Sequence, residues 1–432
     1  MDDFFLPFTR ALAVDRVTLP LRFDAERDTP ALIDAVSVAV PPIRGVLASL
    51  RTALPLVPHS GAGAIGNFFR IPNHYRSVSF VLPAADSGAP DAVAAAIVFK
   101  GTEPLLRDFP NYLEWMLRAP FRGSYLPLGL HYPLEIKLPP AAMWIEECVT
   151  EQEVTSSIQM VYFKHYGNLA RLPVPLLVYQ FTTEQVQRYE AIVRARVSAA
   201  AFKRFEAKVA GGLGIEVYYY PTVPVRAADL SVSGIKSAFE SCLNAAALDS
   251  TFNNWIELMA DLLHLGYMPY APWNHGMGAC VDPGNACVDG GFNDLLTIVP
   301  FDAIPGEHLF WRSLSSSVQL LASSIVAMCA ATTNSRPWSQ SDPIGVAIAY
   351  VMERLRTRIL SYECQSHPVD DRLAQFFEEP SVHDVLRHLR ETHREGGSPG
   401  QYPYPQAEPP TQSSIHAEPS ILRPEESQAI GA

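Results

Sequence analysis

The apolar pattern of this chain changes near residue 230, and this change constrains the fold more than any other feature. Before it, apolar runs are short, rich in β-branched or aromatic residues, and bounded by Pro, Gly or Asp. Such runs are typical of β-strands. The predicted strands are 77–83, 94–101, 175–181 and 215–221.

After residue 230 the apolar residues follow the three-to-four spacing of helices, over 234–266, around 318–331 and over 342–363. Strands followed by helices predict an α+β protein with a strand-rich N-terminal lobe and a mainly helical C-terminal lobe. The predicted divisions are an N-terminal extension at 1–54, a strand-rich lobe at 55–230, a mainly helical lobe at 231–395 and a disordered tail at 396–432.

Charge and composition narrow the classes of function. The net charge is −12 with no basic block, which argues against a nucleic-acid partner. The longest apolar run, 318–331, is shorter than the roughly 20 residues of a membrane span and predicts a buried helix. The N-terminus lacks the features of a secretory signal, and the cysteines form no CxxC pair. We therefore expect a cytoplasmic protein without a membrane span.

Lys100 ends the apolar strand 94–101, where a cation is costly unless it reaches water, a partner or an anion. One interpretation is that it emerges into water; the other is that it binds phosphate and pairs with a glutamate of the long helix that follows. Glu151 shares the inward face of that helix and is the preferred partner. Glu153 is the alternative, although it also fits a capping box with Thr150. Glu114 is a more distant candidate.

A glycine-rich loop precedes these strands. Gly61, Gly63 and Gly66 have the GxGxxG spacing that lets backbone amides approach phosphates. The following residues are strand-like rather than helical, which excludes a dinucleotide-binding unit and favours a kinase-type phosphate loop.

Residues 274–291, NHGMGACVDPGNACVDGG, are dense in turn-forming and polar residues between two apolar segments. The tetrad 282–285, Asp-Pro-Gly-Asn, predicts a turn. We expect a β-hairpin about this turn, with Cys280 facing Cys287 across it. His275 precedes the hairpin and Asp289 leaves it, either as a functional acid or as a cap of the next element.

The order of a His-Gly loop, a hairpin and an Asp-Gly, after a Lys-Gly strand, resembles the atypical branches of the protein-kinase-like fold. These branches are selenoprotein-O-like pseudokinases, aminoglycoside phosphotransferases and siderophore synthetases. The resemblance spans about residues 55–330 and implies ATP and Mg²⁺ as cofactors. It also implies a two-lobed fold and transfer of a phosphoryl or adenylyl group, or ligation, to an acceptor that the sequence does not identify.

The resemblance implies roles for particular residues. Lys100 would hold the α- and β-phosphates, paired to Glu151 or Glu153, and His275 would orient the catalytic loop. Asp289 would bind Mg²⁺. Met277 stands where these enzymes place a catalytic Asp, and Asp282 or Asn285 would have to replace the missing catalytic and metal-binding side chains.

Two other functions remain open. A catalytically inactive, kinase-like binding protein is favoured by Met277. A zinc site would use His264, His275, Cys280 and Cys287, since imidazole and thiolate are good zinc ligands; the alternative for the cysteines is simple core packing. Asp294 and Asp302 follow in the segment expected to shape the acceptor site. The sequence does not favour a hydrolase, because its GxSxG spacing, at 396–400, falls in the predicted disordered tail.

Overall fold

A computed structural model describes eleven segments of the chain. They are residues 67–69, 77–83, 93–101, 142–181, 183–195, 198–221, 224–231, 243–270, 280–332, 342–364 and 369–378. The predicted extension at 1–54, the three loop glycines, His275 and the predicted tail at 396–432 lie outside these segments.

An antiparallel sheet dominates the first half of the described chain. Its strands are β1 (Asn67–Phe69), β2 (Ser77–Pro83), β3 (Val93–Lys100), β4 (Met143–Trp144), β5 (Val174–Gln180) and β6 (Leu213–Tyr220). The strands β1, β2 and β3 pair in sequence order, and β6 pairs with β3, β4 and β5. Because β6 contacts three other strands, it is buried along its whole length.

The structure describes seven α-helices, four of which make up most of the second half of the described chain. They are α1 (Ile145–Tyr166), α2 (Thr183–Arg194), α3 (Ala199–Val209), α4 (Ala245–His264), α5 (Gly306–Ala331), α6 (Pro343–Cys364) and α7 (Asp371–Glu378), of which the first three are interspersed with the strands. A small antiparallel pair, β7 (Tyr267–Met268) and β8 (Val299–Pro300), follows α4. The expected α+β class and the four predicted strands are confirmed.

The start of α1 differs from prediction. The helix begins at Ile145 after an extended Trp144, without a side-chain cap, so the predicted capping box at Thr150 is wrong. Its buried face is unusually polar and carries Glu147, Glu151, Gln152 and Gln159. Glu151 lies on the inward face of the helix, as predicted.

The predicted buried helix around 318–331 is the second half of α5. Among the described residues, α5 is the one helix long and apolar enough to cross a membrane, and 67% of its 18-residue apolar window is buried inside the protein. Five of its six serines bond back to carbonyls one turn earlier, as Ser317 does to Ser313. The helix thus packs as part of the core, in agreement with the prediction of no membrane span.

A polar cluster joins the end of α1 to the helical core. Asp261 of α4 accepts hydrogen bonds from Tyr162 of α1, at 2.8 Å, and from Tyr362 of α6. Arg358 lies 3.7 Å from the same carboxylate. Since α1 also carries Glu151, this cluster fixes the helix that presents Glu151 to the sheet.

We expect Asp261→Ala to lower the free energy of unfolding by about 2–4 kcal/mol, because it leaves two buried tyrosine hydroxyls without their acceptor. Chemical denaturation measures this value. Asp302→Ala, at an exposed aspartate, is the control and should change stability by less than about 0.5 kcal/mol. An equal, small effect of both substitutions would contradict the role of the cluster.

Candidate functional site

The ion pair between Lys100 and Glu151 is the centre of the candidate site. The Nζ of Lys100 donates to both carboxylate oxygens of Glu151 at 2.5 Å. The two side chains are only 13% and 5% exposed. Of the two glutamates proposed from the sequence, Glu151 is therefore the partner, whereas Glu153 lies on the exposed side of α1.

The local chain path explains how this pair forms. Lys100 ends β3 and is followed by Gly101, whose φ is +98°. A Cβ at Gly101 would lie 3.1–3.2 Å from Met143, Ala142 and Gly214, so only glycine lets β3 end this close to β4. Since β4 runs directly into α1, the second turn of α1 is brought beside the end of β3.

Asp294 is the second acidic residue at Lys100. Its Oδ1 lies 3.9 Å from the Nζ of Lys100, and the same oxygen is buried without a hydrogen-bond partner. The residue adopts a left-handed backbone with φ 55° and ψ 75°. For a non-glycine residue this conformation costs about 1 kcal/mol or more, and such strain clusters at functional sites.

Asn293 supports the backbone conformation of Asp294. The side-chain oxygen of Asn293 accepts from the backbone N–H of Asp294 at 3.0 Å. The side-chain amide of Asn293 donates to the hydroxyl of Tyr218 at 3.2 Å. Asp294 is thus held against β6 by a buried neighbour.

Two further glutamates surround the ion pair. Glu147 lies one turn before Glu151 on α1, and Glu216 is the antiparallel partner of Lys100 on β6; both are buried. Burial raises the pKa of Glu151 to about 7, opposed by the nearby Lys100. Burial, followed by repulsion from Glu151, raises the pKa of Glu216 well above its usual range.

Asp289 is bonded at the C-terminal end of β6, four residues beyond the strand partner of Lys100. Its carboxylate accepts from the hydroxyl of Tyr220 at 3.1 Å and from the backbone N–H of Gly291 at 3.0 Å. Tyr220 is four residues along β6 from Glu216, the partner of Lys100, which corresponds to about 13 Å. The acid beside Lys100 is therefore Asp294, and Asp289 stabilises the turn that precedes it.

The predicted hairpin about the tetrad 282–285 is wrong, although the turn itself is confirmed. Asp282 accepts from the backbone N–H of Gly284 at 2.7 Å with its side chain, and from that of Asn285 at 2.9 Å with its carbonyl. The antiparallel bridge instead joins Ala286 to Phe292. The chain therefore reverses one turn later than predicted, at Gly290, whose φ is +92°.

This shifted reversal brings Asn285 close to Asp294. The backbone carbonyl of Asn285 accepts from the N–H of Asn293 at 2.9 Å, and Asn285 is buried. Among the described candidates from residues 274–291, Asn285 is thus the one hydrogen-bonded to Asn293, which precedes Asp294. The carboxylate of Asp282 is engaged in its own turn.

The cysteines do not face each other as expected. The thiol of Cys280 donates to the carbonyl of Pro269, while Cys287 packs with Tyr218 and Tyr220 against the sheet. Burial raises the pKa of both thiols, so they remain protonated. His264 bonds to Tyr166 at 3.0 Å through Nδ1.

These contacts do not assemble the proposed zinc site. Within the segments that the structure describes, no group of three or more His, Cys, Asp or Glu residues is arranged to hold a metal ion. The fourth member of the proposed set, His275, lies outside those segments. The packing of the two cysteines agrees with the core alternative.

Comparisons with known proteins add no family assignment. No protein-family model matches the chain, and no curated protein matches it significantly. The functional inference therefore depends on the geometry around Lys100.

Proposed function

We propose that this protein is a nucleotide- and Mg²⁺-dependent transferase or ligase whose polyphosphate site lies at Lys100. The observation that supports the proposal best is the buried ion pair of Lys100 with Glu151, next to Asp294. A cation held at a strand end by a helix glutamate, with a free carboxylate oxygen beside it, is the arrangement that phosphoryl-transfer sites use.

Lys100 is the residue that binds phosphate in this proposal. Its side chain is 13% exposed, so it is largely desolvated and interacts strongly with an anion. Glu151 holds the amine in position at 2.5 Å. Charge on the phosphate oxygens that develops during transfer is stabilised by this preorganised cation.

The residues present fit a magnesium ion bound together with a nucleotide. Carboxylate oxygen is the ligand that Mg²⁺ prefers, and Mg²⁺ commonly takes one or two carboxylates together with phosphate oxygens. Oδ1 of Asp294 lacks a hydrogen-bond partner and suits this role, with Asn285 as a neighbouring candidate. When bound, the metal neutralises phosphate charge; the protein supplies Asp294, positioned by Asn293.

The wider proposal follows the resemblance to atypical kinase-like proteins. The sheet with α1 would form one lobe, the helices α4 to α7 the other, and the nucleotide would lie between them. Gly61, Gly63 and Gly66 would cover the phosphates and His275 would orient the catalytic segment. The acceptor is a small molecule or a protein, in a cytoplasmic biosynthetic reaction.

A second candidate is a nucleotide-binding protein without turnover. Met277 occupies the position where the kinase-like enzymes that the sequence resembles carry a catalytic aspartate. The carboxylate of Asp282, a proposed substitute, is already engaged by Gly284 at 2.7 Å. Binding of Mg-ATP without consumption of ATP in the presence of any acceptor would favour this candidate.

A thermal-shift titration with Mg-ATP, compared with ATP in EDTA, tests the proposal. A ligand at 100 times its Kd adds about 2.7 kcal/mol to the free energy of unfolding. We expect Mg-ATP to stabilise the protein and EDTA to remove most of the effect. No stabilisation by any nucleotide would overturn the proposal, and one zinc per purified chain would favour the zinc alternative.

Glu151→Gln should weaken Mg-ATP binding or turnover at least about tenfold, because Lys100 loses the charged partner that positions it. Glu153→Gln is the matched control, since it makes the same change on the exposed side of the same helix. Isothermal titration measures both affinities. Equal affinity of the two variants would contradict the role of Glu151.

A further inference from the structure

Glu216 is a buried carboxylate that the proposed function does not use. Its side chain belongs to a residue only 2% exposed, and its Oε2 has no hydrogen-bond partner. An ionised carboxylate in such a place is costly, because no hydrogen bond to Oε2 replaces the hydration that it loses.

The strand register points Glu216 at the candidate site. Lys100 and Glu216 are direct partners of the antiparallel strands β3 and β6, so their side chains leave the same face with Cβ atoms about 5 Å apart. Lys100, however, is already bonded by both oxygens of Glu151 at 2.5 Å. The positive charge of Lys100 is therefore already compensated by Glu151 and stabilises an ionised Glu216 less.

The groups that act electrostatically on Glu216 come from β3, from α1 and from the segment before β8, whereas β5 places the apolar Val178 beside it. Strand β3 contributes the cation Lys100. Helix α1 contributes Glu147, Glu151 and the buried thiol of Cys148, and the segment before β8 contributes Asp294. One cation thus faces four carboxylates, counting Glu216 itself. Ionisation of all four would leave a net negative charge where a polyphosphate has to bind.

We propose that Glu216 is the proton-carrying residue of the Lys100 site: it is a neutral carboxylic acid when polyphosphate is bound, and its ionisation weakens that binding. The inference rests on the proposed function. Neutral Glu216 leaves Lys100 to the phosphate, whereas the carboxylate form competes for the same ammonium and repels the ligand.

The direction of the pH effect follows from the raised pKa of Glu216, caused by burial and by repulsion from Glu151. The folded protein binds a proton at Glu216 that the unfolded chain releases above its ordinary pKa of 4.5. This contribution to stability is complete below about pH 4.5 and is lost as the pH rises through the folded-state value. The affinity of the site for polyphosphate is expected to fall over the same pH range.

The test compares the wild-type protein with Glu216→Gln, which keeps the shape of the side chain but cannot ionise. Mg-ATP affinity is measured by isothermal titration from pH 6 to pH 9, and Glu153→Gln is the control. We expect the wild-type and control affinities to fall about tenfold more over this range than that of Glu216→Gln, as a shift of one pKa unit on binding requires. The melting temperature of Glu216→Gln relative to wild type should also rise with pH.

The outcomes separate this proposal from the proposed function. Binding with the same pH dependence in wild type and Glu216→Gln would overturn the role of Glu216 and leave the function standing. No binding of Mg-ATP to either protein at any pH would overturn both. If the variant does not fold, infrared difference spectra of the wild-type protein with and without Mg-ATP at pH 8 decide: a buried carboxylic-acid carbonyl band that grows on binding supports neutral Glu216, and its absence overturns the proposal.

Discussion

Lys100→Met is expected to abolish Mg-ATP binding, with a loss of affinity of at least about a hundredfold. The substitution keeps the length of the side chain and removes the charge that faces the phosphates in the proposed site. Charge-assisted hydrogen bonds contribute about 1.5–3 kcal/mol each, and more than one phosphate oxygen is expected to contact the ammonium group. Isothermal titration and the thermal shift with Mg-ATP measure the loss.

The same substitution leaves Glu151 buried without its cation. Because the attraction of Lys100 lowers the pKa of Glu151, its removal should raise that pKa further and leave the carboxyl protonated. The fold is then expected to survive, as circular dichroism and a cooperative melt would show. Lys164→Met, on the last turn of the same helix as Glu151, is the control. Unchanged nucleotide binding by Lys100→Met would contradict the proposed site.

Trp255→Ala is expected to lower the free energy of unfolding by about 3–5 kcal/mol. Trp255 of α4 is fully buried. Its indole N–H donates to the carbonyls of Cys287, at 2.8 Å, and Gly291, at 3.2 Å. The substitution therefore creates a large cavity and also removes one of the two hydrogen bonds that each of these carbonyls accepts. Chemical denaturation gives the value.

Trp255→Phe separates packing from hydrogen bonding. It retains most of the volume and removes only the donor, so we expect a smaller loss of about 1–3 kcal/mol. Because Cys287 and Gly291 flank the chain reversal that leads to Asp294, both variants should also weaken Mg-ATP binding. A full retention of stability by Trp255→Ala would contradict the packing described for this segment.

The elements of the fold could be predicted well because their signals are local. The strand at 77–83 and the helices at 342–363 and 318–331 have apolar spacing and breakers that depend on neighbours in sequence. The predicted elements occur as β2, α6 and the second half of α5. Helix α1 begins at Ile145, earlier than the capping box predicted at Thr150, since its first turn carries acids and a cysteine rather than a capping residue.

The candidate site could be predicted in part. The pairing of Lys100 with Glu151 follows from a strand-end cation and a helix glutamate on the inward face, and this contact is present at 2.5 Å. Asp294 was not assigned to the site, because its proximity to Lys100 depends on where the chain reverses after the 282–285 turn. The reversal at Gly290 depends on contacts with Arg171, Tyr220 and Trp255, which are distant in sequence.

Glu216 was not among the predicted site residues, although its position in the sequence is unusual. It is a lone acid inside the apolar run 215–221, and an unpaired acid in a buried strand is costly. Glu216 belongs to the site because the strand register places it opposite Lys100. No pattern in a single sequence specifies that register. Long-range pairing, rather than local propensity, therefore determines which acids surround the lysine.

The most direct test of the central claim is to label the protein with a lysine-reactive acyl-phosphate derivative of ATP and map the modified residue by mass spectrometry. The nucleotide carries the reactive group at its terminal phosphate, so it modifies a lysine that contacts the bound phosphates. We expect modification at Lys100, protection by Mg-ATP, and a strong decrease in Asp294→Asn but not in Asp302→Asn. Labelling confined to Lys164 or Lys203, or unaffected by Mg-ATP, would contradict a polyphosphate site at Lys100.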